Sequence, residues 1–261
     1  MPIRGKFIAL EGIDGSGKRT QIEMLARVFA SRGIEFSQIS FPRYDGFFGK
    51  MVARFLNGEF GPLETVDPHF SALLYAGDRL QSKPQIEAAL DAGKIVLADR
   101  YIASNLAHQG ARMPPGKRAE FLNWLRHVEY AIYGLPAEDL VIYLRVPPIE
   151  ARRLIGKKGK RPYTRRRRDL QEANLAHLKA ASAVYDELSH QPNWIKIDCT
   201  ETETQPLRQP SRKSPSARLH RTGRSLHAPK TREVFLRSPE AIHAEILAAI
   251  DARFAPPTLK G

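Results

Sequence analysis

The chain has 261 residues, of which 42% are hydrophobic, so it is long enough to bury one substantial core. Its 41 lysines and arginines exceed its 28 acidic residues, which gives a formal net charge of +13. The single cysteine, Cys199, excludes an intrachain disulfide, and no apolar run approaches the roughly 18 residues of a membrane span, so we expect a cytoplasmic protein without a membrane anchor.

Predicted strands and helices alternate along the chain. Short apolar runs predict strands at residues 6–10, 35–41, 95–98, 140–146 and 194–197. Apolar residues at helical spacing predict helices at residues 18–31, 47–56, 67–90, 118–133, 148–155, 169–188 and 238–254. This alternation predicts an α/β fold, in which a mostly parallel sheet carries helices on both faces and ligands bind beyond the carboxyl ends of the strands.

Residues 201–237 interrupt the pattern. They are rich in Pro, Ser, Arg and Thr and poor in large apolar side chains, so we expect this basic insertion to be disordered or loosely attached. The domain prediction is a core of residues 1–200, the insertion, and a helix at 238–254 that completes the core. The insertion is either a solvated loop or a weak nucleic-acid binder, whose affinity would be electrostatic because Phe235 is its one aromatic residue.

A glycine-rich loop follows the first predicted strand and opens the first predicted helix. Its sequence, GIDGSGK, has the spacing of a loop that surrounds phosphates with backbone N–H groups and a lysine. The next residue, Arg19, stands where a metal-binding Ser or Thr is usual, so either a hydroxyl has been lost or an arginine clamps phosphate oxygens. We assign the ATP phosphates to nine residues: Gly12, Ile13, Asp14, Gly15, Ser16, Gly17, Lys18, Arg19 and Thr20.

Several further motifs occur in a fixed order. They are Glu11-Gly12-Ile13-Asp14, Phe41-Pro42-Arg43-Tyr44, Asp78-Arg79, and Asp99-Arg100-Tyr101 with Ser104-Asn105. With these motifs the chain resembles the thymidylate kinases over about residues 5–200 and the terminal helix. The resemblance implies a P-loop NTPase-type three-layer sandwich with a five-stranded parallel sheet and a basic lid. It also implies transfer of the terminal phosphoryl group of ATP to dTMP with Mg²⁺, and a homodimer.

The resemblance assigns the acceptor, dTMP, to a set of side chains. Asp14 would accept a hydrogen bond from the sugar 3′-hydroxyl, and Arg79 would contact a thymine carbonyl. Arginines are suited to the acceptor phosphate because guanidinium groups bind phosphate oxygens bidentately. The full prediction is Asp14, Phe41, Arg43, Tyr44, Tyr75, Arg79, Arg100, Asn105, His108 and Gln109. For the aromatic residues, core packing is the alternative interpretation, and His108 stands where an aromatic residue near the sugar 2′ position is common in the family.

Charge stabilisation and metal binding complete the predicted site. Residues 156–168 form a glycine-punctuated basic loop that we expect to close as a lid and deliver an arginine to the transferred group. The candidate catalytic residues are Lys18, Arg19, Asp14, Arg100, Arg161 and Arg165. For Mg²⁺ the candidates are Asp14 and Asp99, although Asp14 is alternatively a loop cap and Asp99 a helix cap.

Two rival functions remain open on the sequence. One is a kinase for another nucleotide or for a deoxynucleoside. The other is a P-loop protein that binds nucleotide or nucleic acid without transferring phosphate, which Arg19, His108 and the basic excess favour.

Overall fold

A parallel β-sheet forms the centre of the molecule. The computed structural model describes residues 4–157, 171, 174–204 and 232–254. Five parallel strands pair in the order β2-β3-β1-β4-β5, which confirms the predicted sheet. They are β1 Phe7–Glu11, β2 Phe36–Ser40, β3 Ile95–Asp99, β4 Leu140–Arg145 and β5 Trp194–Asp198. Because β1 is central, all of its residues are buried, as expected for a strand covered on both faces.

Helices pack around this sheet. They are α1 Lys18–Ser31, α2 Phe47–Leu56, α3 Pro68–Asp91, α4 Ile102–Gly110, α5 Pro115–Arg126, α6 Pro148–Lys157, α7 Leu175–Leu188 and α8 Pro239–Phe254. Sequence chemistry fixes two of their starts. Asp67 caps α3 by accepting hydrogen bonds from the His69 and Phe70 N–H groups, and Ser238 Oγ accepts from the Ala241 N–H at the start of α8. None of the helices in these described ranges is long and apolar enough to span a membrane.

The structure differs from the predicted elements in three helices. Helix α4 has no counterpart among the predicted helices. The single helix predicted at 118–133 is an α-helix that continues as a π-helical segment, His127–Ile132. The helix predicted at 169–188 is seen as α7, with Gln171 also helical. The lid was predicted at residues 156–168, of which 158–168 lie outside the described residues.

The two ends of the insertion also differ from the expectation of disorder. Strands β6 (Thr200–Thr204) and β7 (Arg232–Leu236) pair antiparallel, with Thr200 opposite Leu236. Alternating threonines favour a strand locally, and an average composition over the whole insertion hides this preference. We call these two strands the ribbon. Residues 205–231 lie outside the described residues.

Candidate active site

The phosphate loop begins at the carboxyl end of β1. Gly15 and Gly17 have positive φ angles, 86° and 90°, that glycine adopts without strain. Lys18 is buried, and its Nζ donates to the carbonyl oxygens of Gly12 (2.8 Å) and Ile13 (3.0 Å). Burial, and then the nearby Arg100, lower the pKa of Lys18 to about 7. An anionic phosphate near this amine would therefore favour its charged form.

Arg100 connects β3 to the phosphate loop. Its backbone has a positive φ of 71°, which is strained for a residue with a side chain. Its guanidinium donates to Asp14 Oδ1 (2.7 Å) and to the Gly12 carbonyl (3.2 Å). The buried carboxylate of Glu11 accepts hydrogen bonds from the N–H groups of Tyr101 and Ser104, which follow Arg100. These bonds hold the turn after β3 in place. Arg100 and Asp14 thus meet at the edge of the phosphate loop. The backbone strain at Arg100 is held by the hydrogen bonds to Glu11.

A cleft of about 170 Å³ opens beside this pair. It is lined by ten of the predicted residues: Asp14, Phe41, Tyr44, Tyr75, Arg79, Asp99, Arg100, Asn105, His108 and Gln109. They come from β1, β2, β3, α3 and α4 or from the loops that follow the strands. The cleft therefore lies beyond the carboxyl ends of the strands, where the fold predicts ligands to bind.

Arg79 is held in the cleft wall by a buried ion pair. Its side chain is 2% exposed and donates two hydrogen bonds to Glu129, which is 0% exposed, at 2.5 and 2.6 Å. Glu129 Oε1 also accepts from Asn105 Nδ2 at 2.8 Å. The sequence prediction missed Glu129, because its partner Arg79 is distant along the chain and no local pattern indicates the pair.

Two amides of α4 present opposite hydrogen-bonding groups. The Nδ2 of Asn105 donates to Ala72 O and Glu129, which leaves its Oδ1 as an acceptor. Gln109 Oε1 accepts from Ser71 Oγ and Arg112, which leaves its Nε2 as a donor. Both remaining atoms are buried and have no hydrogen-bond partner in the described parts of the chain. A buried polar atom without a partner costs about 1–3 kcal/mol, so these atoms point to a polar ligand.

His108 and Asp99 add two more buried atoms of this kind. His108 Nε2 and Asp99 Oδ1 are without partners among the described residues. His108 Nδ1 lies 3.2 Å from His177 Nε2 on α7. Burial, with Arg100 and His177 next, lowers the pKa of His108 well below its usual value, so its ring is neutral. Asp99 is not a cap of α4, because the residue at that position is Tyr101.

Among the described residues, two arginines predicted for the site, Arg19 and Arg43, do not line the cleft. Arg19 is exposed and pairs with Glu23 at 2.9 Å on the outer face of α1. Arg43 donates to Gln85 at 2.8 Å and lies 3.6 Å from Asp45. The two lid candidates, Arg161 and Arg165, lie outside the described residues.

A second pocket, of about 360 Å³, borders the other side of the phosphate loop. Its lining residues are Gly15, Ser16, Gly17, Thr20, Gln21, Val146, Leu154, Cys199, Leu236, Arg237, Pro239 and Ile242. We call it the loop pocket. Sequence reasoning missed it, because its walls combine α1, the end of β4, α6, the end of the ribbon and α8. The phosphate loop thus lies between two pockets, with Asp14 on the cleft side and Gly15 to Gly17 on the other.

Two carboxylates, those of Asp14 and Asp99, line the cleft. No group of three or more His, Cys, Asp or Glu side chains that could hold a metal ion occurs within the described ranges. Asp99 Oδ1 is a buried carboxylate oxygen without a described partner, which suits a hard cation. Asp14 is engaged with Arg100. Mg²⁺ is commonly held by one or two carboxylates together with substrate phosphates and water, so these residues fit it in that mode.

Comparison with known proteins agrees with this architecture. The family model for thymidylate kinase matches residues 10–209. A thymidylate kinase of Mycobacterium tuberculosis is 33% identical over 187 residues, which cover 71% of this chain and 86% of that protein. A probable thymidylate kinase of Pyrococcus horikoshii is 40% identical over 159 residues, covering 60% of this chain and 73% of that protein.

A solved structure gives the same result for the fold. The thymidylate kinase of Candida albicans aligns with a TM-score of 0.58 at 22% identity, covering 75% of this chain and 84% of that chain. The predicted resemblance is therefore confirmed, and the chain belongs to the thymidylate kinase family.

Proposed function

We propose that this protein transfers the terminal phosphoryl group of ATP to dTMP, forming dTDP and ADP. A phosphate oxygen of dTMP bonds to the γ-phosphorus as the bond from that phosphorus to the β–γ bridging oxygen breaks. The main observation that supports this proposal is the position of the phosphate loop between the cleft and the loop pocket. This arrangement suits two nucleotides that approach the loop from opposite sides, as an in-line transfer requires.

The acceptor base would bind to the amides of α4. A thymine N3–H is a donor that suits Asn105 Oδ1, and a thymine carbonyl is an acceptor that suits Arg79 or Gln109 Nε2. Cytosine has an acceptor at N3 and an amino group at C4, so it would place like groups against each other. The aromatic side chains of the cleft would pack against the ring and the sugar; they are Phe41, Tyr44 and Tyr75.

The acceptor phosphate and sugar would bind at the Arg100–Asp14 pair. Arg100 is positioned to give hydrogen bonds to a phosphate, while Asp14 accepts from the sugar 3′-hydroxyl. Lys18 would donate to the transferred phosphoryl group, where negative charge is shared by several oxygens in the transition state. Since positioning and electrostatics carry this reaction, we assign no general base.

ATP would place its phosphates at the loop and its base in the loop pocket. That pocket has apolar walls and few polar groups, which is typical of a site for a flat heterocycle. Mg²⁺ would supply positive charge that offsets the negative charge of the phosphates. Asp99 is the residue we assign to hold it, with Asp14 as second candidate.

Other arginine side chains would contact phosphate only after they reorient. Arg19 pairs with Glu23 on the surface, and such a pair is worth about 0–1 kcal/mol, so the side chain is free to reorient toward phosphate at small cost. Arg43 would likewise leave Gln85 to reach the acceptor phosphate. Arg161 and Arg165 remain our candidates for the lid, supported by the presence of Gly15 and Ser16, and no arginine, just before Gly17 in the phosphate loop.

We also propose a homodimer in the cytoplasm. Phe70, Leu73 and Leu80 share one face of α3 and are partly exposed, which is the composition of a self-association surface. The lone Cys199 thiol is buried and free, which suits a reducing compartment.

The direct test is dTDP formation from ATP, Mg²⁺ and dTMP, with dCMP, dUMP, UMP and thymidine as competing acceptors. We expect preference for dTMP, and a loss of at least about 100-fold in kcat for Lys18→Ala without loss of fold. Asn105→Leu should raise the KM for dTMP more than it lowers kcat, since it removes an interaction with the unreactive base. Failure to phosphorylate any monophosphate, with ATP still bound, would favour a binding protein instead.

A further inference from the structure

A buried glutamine borders the loop pocket with an unused acceptor. Gln21 lies in the first turns of α1 and is 2% exposed. Its Nε2 donates to the carbonyl oxygen of Pro239 at 2.9 Å. Its Oε1 is buried and has no hydrogen-bond partner within the residues that the structure describes. An acceptor in this state lowers stability unless something donates to it.

The contact with Pro239 fixes which end of the amide is free. A carbonyl oxygen only accepts hydrogen bonds, so the NH₂ group of Gln21 must face Pro239. The remaining atom is therefore an oxygen, and a ligand that binds it must supply an N–H or O–H group. Pro239 is the first residue of α8, so the helix that follows the insertion sets the orientation of Gln21.

The other polar side chains of the loop pocket, Ser16, Thr20 and Arg237, do not donate to Gln21 Oε1 in the part of the chain that the structure describes. Val146, Leu154, Leu236 and Ile242 supply apolar walls. Burial raises the pKa of the Cys199 thiol to about 12, so it stays uncharged and acts as a small apolar surface. A bound heterocycle would thus be oriented chiefly by its polar edge.

We propose that Gln21 is a donor-specificity residue whose Oε1 accepts a hydrogen bond from the exocyclic amino group of the donor base. Adenine carries such a group at its six-membered ring. Guanine and hypoxanthine carry a carbonyl oxygen at the same position, which would face Oε1 as a second acceptor and leave both atoms desolvated. The inference rests on the proposed function only in assigning the donor nucleotide to this pocket.

The test is a calorimetric titration of the purified chain with ATP and with ITP, without acceptor. The unaltered chain should bind ATP about tenfold or more tightly than ITP, which corresponds to one well-placed hydrogen bond. Gln21→Met, of similar length without polar atoms, should abolish the preference, because ATP loses its hydrogen bond while ITP, no longer facing Oε1, binds as tightly as before or more tightly. Gln38→Met, the same substitution at an exposed glutamine on β2 outside both pockets, is the matched control and should keep the preference.

The possible outcomes separate the two claims. Equal affinity for ATP and ITP, or a preference that survives in Gln21→Met, would overturn the inference and leave the kinase assignment intact. A folded chain that binds neither nucleotide would overturn the donor site and the proposed function with it. If Gln21→Met does not fold, purine riboside triphosphate, which has hydrogen in place of the amino group, tests the unaltered chain, and binding as tight as that of ATP would overturn the inference.

Discussion

At the scale of single residues, the partners of a side chain decide its chemistry. Asn and Gln each carry a donor and an acceptor, so their identity alone does not say which one a ligand meets. In α4, Glu129 and Ala72 occupy the donor of Asn105, while Ser71 and Arg112 occupy the acceptor of Gln109. The two amides of α4 consequently present one fixed acceptor, Asn105 Oδ1, and one fixed donor, Gln109 Nε2, to the cleft.

Lys18 should take up a proton when ATP binds. Its pKa of about 7 means that the free amine is mostly neutral at pH 8, whereas phosphate anions favour the ammonium form. At pH 8 we expect uptake of up to about one proton per ATP, seen as a binding enthalpy that depends on the ionisation heat of the buffer. At pH 6 the amine is already charged, and the Lys18 contribution vanishes.

Lys18→Arg is the matched control for this prediction. Its guanidinium stays charged, so the uptake at pH 8 should be lost even if ATP still binds. Uptake that persists in this variant would assign the proton to another group.

Glu138 should make stability depend on pH. Burial raises the pKa of its carboxyl group from 4.5 to about 7, even though Tyr130 donates to it. Because the folded state holds the proton more tightly, this contribution is full below about pH 4.5 and is lost as the pH rises through about 7. Glu138→Gln should therefore be more stable than the unaltered chain at pH 8, by a few kcal/mol at most, since one pKa unit is about 1.4 kcal/mol.

Urea unfolding at pH 5 and pH 8 measures this difference. The advantage of Glu138→Gln should shrink at pH 5, while Glu120→Gln, an exposed carboxylate on α5, should behave as the unaltered chain at both values. An advantage that is the same at both pH values would contradict the assignment.

At the scale of elements, the π-helical segment after α5 places Glu129 against α3. Removing one member of the buried pair leaves the other charge without compensation, so Glu129→Leu should destabilise the fold by about 3–5 kcal/mol. The double variant Arg79→Met with Glu129→Leu should recover part of this loss, because no charge is then buried alone. Urea unfolding of four chains, the unaltered one, both single variants and the double variant, forms the cycle, and a double variant less stable than Glu129→Leu would refute the pair's proposed energetics.

The ribbon should contribute to ATP binding, whereas residues 205–231, which connect its two strands, should not. Deleting residues 205–231 with a short turn between β6 and β7 should leave kcat and the KM for ATP nearly unchanged. Deleting 201–237 also removes Leu236 and Arg237 from the loop pocket, so it should raise the KM for ATP about tenfold or more. Steady-state kinetics of both deletions test this, and equal effects would show that the ribbon contributes nothing to the pocket.

The same deletions test nucleic-acid binding. Any binding by the basic insertion should fall steeply with salt and disappear when 205–231 is removed. Binding that survives this deletion would place it elsewhere on the basic surface.

At the scale of the whole molecule, the exposed face of α3 should hold two copies together. Leu73→Glu with Leu80→Glu places charges on this face, and since both side chains are partly exposed the fold should survive. Sedimentation equilibrium should change from dimer to monomer. Ile132→Glu, an equally drastic change at a residue that is 63% exposed, should leave the dimer intact, and a dimer in all three chains would disprove the assignment of the α3 face.

The alternating elements and the phosphate loop followed from local sequence. Hydrophobic periodicity and glycine spacing act over a few residues, so the five parallel strands and the start of α1 were predicted correctly. The motif residues, among them Arg100 and Asn105, came from the resemblance to the thymidylate kinases, and the structure places both in the cleft beyond the carboxyl ends of the strands.

Contacts between distant segments were beyond local sequence. Glu129 opposite Arg79, His177 beside His108, and Pro239 against Gln21 all join residues that are far apart along the chain. Their hydrogen bonds depend on how α3, α4, α7 and α8 pack around the sheet, and no short-range pattern encodes that packing. For the same reason the loop pocket and the polarity of each buried amide appeared only once the chain was folded.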